Sequence, residues 1–163
     1  MMVDYYVRAS LLMGALDAAA ARLRRPVDRL RVLPGGRCLV SAGWRWTLVR
    51  GRRSAGSFDE EGMPILGGGG WNVEARGTEG RSVPARCKQR AELLHAFISQ
   101  VSGDLRVPID GLAMLRDGNR CRVRAGFRRA MYKATWLPED GWWEIDRVTE
   151  GEASRRFWSW LWR

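Results

Sequence analysis

The chain holds one histidine, two lysines and three cysteines among its 163 residues, and each scarcity excludes something. His95 stands alone, so no Ser-His-Asp or Cys-His arrangement can be read. Its position beside an apolar helical stripe favours a structural role over that of a general base. Cys38, Cys87 and Cys121 have no second cysteine or histidine at ligand spacing. That leaves neither a disulfide framework nor a zinc site, and suits buried thiols in a reducing compartment. No apolar run is long enough to span a bilayer, and Asp4 and Asp17 flank or interrupt the N-terminal apolar stretch. The expected location is cytoplasmic, with no membrane partner. The glycines at 67–70 lack the Lys and Ser/Thr of a phosphate-binding loop. No cofactor, resident metal or enzymatic activity is expected.

Arginine is abundant. It supplies 26 of the 28 basic side chains, against 18 acidic ones, for a net charge of +10. A guanidinium binds phosphate through a planar, bidentate fork and stacks on aromatic faces, so a polyanionic partner is the natural physical reading. A GC-rich genome explains the preference for arginine over lysine equally well; the net charge is what points to nucleic acid.

The chain also repeats itself. Arg37-Cys38-Leu39-Val40-Ser41-Ala42-Gly43-Trp44-Arg45 answers Arg120-Cys121-Arg122-Val123-Arg124-Ala125-Gly126-Phe127-Arg128. Upstream, Leu23-Arg24-Arg25-Pro26-Val27-Asp28 answers Leu105-Arg106-Val107-Pro108-Ile109-Asp110, and Arg8-Ala9 answers Arg90-Ala91, all at an offset of 82. Gly70-Trp71 and Thr78-Glu79-Gly80 pair with Gly141-Trp142 and Thr149-Glu150-Gly151. Self-similarity of this length means one supersecondary unit used twice.

Each copy opens with a helix. Leu12, Leu16, Ala19 and Leu23 form the apolar stripe of the first, over 5–24, ended by Pro26. Leu94, Phe97, Ile98 and Val101 form that of the second, from Pro84 to Gly103. Strands are expected near 30–32, 37–50 (with a bulge at Gly43) and 71–76, then at 106–115, 120–130 and after a turn at 138–141. The expected fold is α+β: two tandem αβββ units with antiparallel sheets and pseudo-twofold symmetry, plus a closing C-terminal helix. The units span 1–83, with a Gly-rich loop at 51–70, and 84–151; the helix spans 152–163.

Three basic groups are candidates for nucleic-acid contact. Arg120, Arg122 and Arg124 share one strand face at period two, followed by Arg128 and Arg129. Arg50, Arg52 and Arg53 begin the Arg/Gly loop, which Asp59-Glu60-Glu61 can neutralise. Arg81, Arg86, Lys88 and Arg90 surround the start of the second helix. A solvated basic face explains each group in blander terms.

Nine tryptophans are many for this length. Trp44 and Trp71 have aromatic counterparts in Phe127 and Trp142, which suggests core positions; Trp46, Trp136 and Trp143 are the candidates for stacking on bases. Phe157, Trp158, Trp160, Leu161 and Trp162 make the last segment apolar nearly all round, suited to capping the sheet or docking on a protein partner or second copy. The carboxylates shared by both copies, Asp28 with Asp110 and Glu79 with Glu150, fit turns and helix starts better than a metal site. The function expected is non-enzymatic binding of a nucleic-acid backbone, as a small basic subunit of a nucleoprotein assembly. Protein-protein assembly through the C-terminal segment is the alternative, and metal-dependent phosphodiester cleavage a distant third.

Overall fold

The computed structural model describes residues 4–53, 71–73 and 82–148. The fold is α+β, with two helices on an antiparallel sheet. Helix α1 (Asp4–Leu23) is followed by strands β1 (Arg29–Leu33), β2 (Arg37–Ala42), β3 (Arg45–Arg53) and β4 (Trp71–Val73). Helix α2 (Ala85–Leu105) is followed by β5 (Gly111–Met114), β6 (Arg120–Ala125), β7 (Arg128–Leu137) and β8 (Trp142–Arg147). The strand order is β4-β3-β2-β1-β5-β6-β7-β8, so the two halves meet where β1 pairs with β5.

The helices form because their apolar residues recur at helical spacing and bury one face of each. Leu11, Leu12, Leu16, Ala19 and Leu23 of α1 pack with Leu94, Phe97, Ile98, Val101 and Leu105 of α2 in a single core. The sheet contributes its inward row of Leu30, Cys38, Val40, Val49, Leu112, Cys121, Val123 and Tyr132. Both helices end one residue before an arginine in the left-handed region, Arg24 and Arg106, each at φ 52°. Their N–H groups donate to the carbonyls of Ala20 (3.2 Å) and Ser102 (3.1 Å), and Pro26 and Pro108 prevent continuation. The second helix therefore runs past Gly103, where the sequence suggested a stop.

Two further expectations are corrected. Each helix is followed by four strands, not three, because Gly43 and Gly126 mark hairpin turns. Ala42 pairs with Arg45 and Ala125 with Arg128, which leaves two-residue loops, and the glycines sit at φ +63° and +61°. A glycine with positive φ at the first central position is what a type II′ turn requires. The basic stretch at 50–53 belongs to β3 rather than to a loop. The segment 152–163 expected as a closing helix lies outside the described residues, as do Glu79, Arg81, Glu150 and the docking residues Phe157, Trp158, Trp160, Leu161 and Trp162.

At the joint, Leu30 lies opposite Leu112, Arg29 opposite Ala113 and Arg31 opposite Gly111. Met114 N–H donates to Asp28 O at 2.7 Å, and Val32 N–H to Asp110 O at 2.8 Å. Arg8 donates across the joint to the carbonyl of Ile109 (3.2 Å), and Arg90 donates back to that of Val27 (3.2 Å). Arg45 reaches Leu23 O at 3.3 Å, and Arg128 reaches Leu105 O at 3.1 Å, where a cation favours the helix C-terminus. Every one of these contacts has its counterpart 82 or 83 residues along the chain.

Candidate functional site

Both helices cover the same face of the sheet. Side chains alternate along a strand, so the residues between the core positions project from the opposite face. The strand register sorts them into rows. One runs Trp46, Ser41, Arg29, Ala113, Arg122, Met131; the next runs Leu48, Leu39, Arg31, Gly111, Arg124, Arg129. Further out, Arg50 pairs with Arg37, and Arg120 with Lys133.

The middle of this face is a trench. Its floor is β5, where Gly111 and Ala113 offer almost no side chain. Arg29 and Arg31 stand on one wall, Arg122 and Arg124 on the other. Strands lie about 4.8 Å apart, so the walls are about 10 Å apart, and arginines two residues apart on a strand are separated by about 7 Å. A Cβ added at Gly111 would meet Leu30 O at 3.4 Å, an ordinary van der Waals contact. Arg29, Arg31, Arg124 and Arg129 are exposed, whereas Arg122 is half-buried and Met131 fully buried. Burial lowers the Arg122 proton affinity, and the nearby cations Arg29 and Arg129 lower it further. On the β8 side the positive field ends, because Asp146 lies opposite Lys133 and Glu144 opposite Thr135.

On β2 and β3 the same face carries an apolar cluster beside the Arg37–Arg50 pair. Leu39, Ser41, Gly43, Trp44, Arg45 and Trp46 line a shallow groove of about 300 Å³. Trp46 is 66% exposed and Leu48 42%. Trp44 occupies the tip of the β2–β3 hairpin, 73% exposed, with the guanidiniums of Arg25 and Arg45 at 5.2 and 5.1 Å from its ring centre. The core positions expected for Trp44, Phe127 and Trp142 are thus corrected. Trp44 and Phe127 lie at hairpin tips and Trp142 opens β8, and all three are exposed.

The other candidates are dispersed. Arg50 and Arg52 lie on the trench face towards the sheet edge; of Arg53 only the backbone is described. Arg120 binds the Asp117 carboxylate. Burial alone would raise that acid, but hydrogen bonds from the Arg120 side chain and the Asn119 and Arg120 amides hold it below its ordinary value. Arg86 and Lys88 are exposed on α2, away from the trench, while Arg90 and Arg128 serve the structural contacts described above. Trp136 and Trp143 pair with each other at 5.1 Å on the helix-side face.

Asp28 and Asp110 tie the turns. Asp28 Oδ2 accepts the Gly43 N–H at 2.8 Å and Asp110 Oδ2 the Gly126 N–H at 2.7 Å. Among the described residues no three His, Cys, Asp or Glu side chains come together to hold a metal ion, and no helix is long and apolar enough to cross a membrane. His95 Nε2 lies 2.7 Å from Asp17 Oδ1 and links the two helices. Arg29 and Arg31 were missed as site residues, although Arg29-Leu30-Arg31-Val32 alternates polar and apolar. What the pattern lacks is any sign that this short strand is central. No protein-family model, no curated protein and no solved structure matches the chain.

Proposed function

We propose that the chain is a duplicated αββββ unit whose sheet face opposite the helices binds a nucleic-acid backbone, without catalysis. The duplication is supported by the equivalent contacts at a fixed offset, and by Leu30 and Leu112 pairing with each other at the joint. The observation that carries the binding reading is the trench. Four arginines from β1 and β6 flank a floor of Gly111 and Ala113 wide enough for a sugar–phosphate chain. Bidentate guanidinium–phosphate contacts fix a backbone without reading its sequence.

The test is fluorescence anisotropy with labelled single- and double-stranded DNA and RNA. Arg29→Glu with Arg31→Glu is expected to remove most of the binding, while Arg86→Glu with Lys88→Glu, an equal charge change on the helix face, leaves most of it. No binding by the unaltered protein at low salt, or equal losses from both pairs, contradicts the reading.

A further inference from the structure

The two halves have the same fold but differ in surface chemistry at three matched positions of the trench face. Leu39, Ser41 and Trp46 of the first half correspond to Arg122, Arg124 and Arg129 of the second, by the alignment of Arg37-Cys38 with Arg120-Cys121. The face is therefore divided: an aromatic and aliphatic strip over β2 and β3, bordered by Arg37 and Arg50, then cations on β1, then the small floor of β5, then cations on β6. From Trp46 to Arg29 is two strand spacings, about 10 Å. That is comparable with the reach from base to phosphate within one nucleotide.

We infer that the ligand is single-stranded nucleic acid, its bases stacked on Trp46 beside Leu48 and Leu39 of the next row, and its phosphates drawn into the arginine trench. The inference rests on the backbone-binding reading and specifies its substrate class. A duplex presents phosphates on its outside and hides its base faces, so it would leave the apolar strip against charged groups. A single strand offers base faces that themselves need cover, and any base can stack on an indole. A bilayer is a poorer match: on a sheet the side chains stand at one level, and Trp46 cannot enter hydrocarbon without carrying Arg29 towards it.

The experiment compares an oligothymidylate of about 15 nucleotides, within the span of small single-strand-binding folds, with three other probes. These are an abasic phosphodiester of the same length, a duplex of the same length, and vesicles containing phosphatidylserine. Trp46→Ala and, as a control on the opposite face, Trp136→Ala are measured beside the unaltered chain, with circular dichroism to verify folding. Loss of one stacked base corresponds to about five-fold or more in affinity. The oligothymidylate is expected to bind at least ten-fold more tightly than the abasic chain or the duplex. Trp46→Ala should remove most of that preference without weakening abasic binding, and Trp136→Ala should do neither. Equal binding of the abasic chain, tighter binding of the duplex, or an unaffected Trp46→Ala protein overturns the single-strand inference while leaving backbone binding intact. Failure of all three nucleic-acid probes removes both, and binding to vesicles alone would assign the face to a membrane surface instead.

Discussion

Replacing Asp28 by alanine should destabilise the fold while leaving ligand binding intact. The carboxylate accepts the Gly43 N–H at 2.8 Å, and that amide belongs to a two-residue hairpin loop whose glycine is held at φ +63°. A hydrogen bond to a charged acceptor is worth about 1.5–3 kcal/mol, and the lower end applies here because the released N–H is exposed and can bind water. We therefore expect a loss of about 1.5 kcal/mol for Asp28→Ala. Asp110→Ala should lose about 2 kcal/mol, since Asp110 also pairs with Arg8 at 3.0 Å, and a part-exposed ion pair adds about 0.5 kcal/mol. Asn keeps an acceptor oxygen and should recover about half of each loss. With a urea slope of about 2 kcal/mol/M, the alanine variants unfold at midpoints about 0.7 and 1 M below the unaltered chain. Nucleic-acid affinity should change less than about two-fold. If Asp28→Ala unfolds at the same urea concentration as the unaltered protein, the turn-tying role is wrong. If it stays folded but no longer binds, Asp28 contacts the ligand or a metal.

Other outcomes follow from the core. Leu30→Ala and Leu112→Ala should each cost about 2–4 kcal/mol, and the double variant should depart from the sum of the two, because the side chains face each other at the joint. Additive losses in urea denaturation would place them in separate environments. Burial pushes the Cys38 thiol up to about 11 and that of Cys121 to about 12, and it also raises the Tyr132 hydroxyl, which donates to Asp104. The unfolded chain gives up these protons first, so the stability the thiols contribute is complete below about pH 8.5 and is lost as pH rises towards 11–12. Urea midpoints should fall from pH 8.5 to 10.5, and both thiols should resist a disulfide reagent until the protein unfolds. Rapid native labelling of either would contradict their burial.

Much of the fold was legible because its determinants are local. The stripes Leu12-Leu16-Ala19-Leu23 and Leu94-Phe97-Ile98-Val101 placed both helices, and the repeat located the matching strands. The hairpin at Gly43 reads as a bulge in the sequence because a lone glycine in a strand pattern signals a bulge as readily as a turn. Deciding between them needs the pairing of Ala42 with Arg45, a contact across the turn. The aromatic counterparts Trp44 and Phe127 read as core positions only if equivalence implies burial. In fact both copies expose the residue after the turn glycine. Alternation identified the Arg120, Arg122 and Arg124 face. It did not reveal that Arg29 and Arg31 stand across β5 from it, since strand order depends on how the two halves meet.

If the arginines of the trench neutralise phosphates, the salt dependence of affinity registers it. Four phosphate contacts on a single strand give log Kd against log salt a slope of about 2.8, so affinity should fall about fifty-fold from 50 to 200 mM salt. Arg29→Glu with Arg31→Glu should lower that slope to about 1.4 or less if residual binding is measurable. An unaltered slope in that variant, or affinity indifferent to salt in the parent protein, would contradict the account.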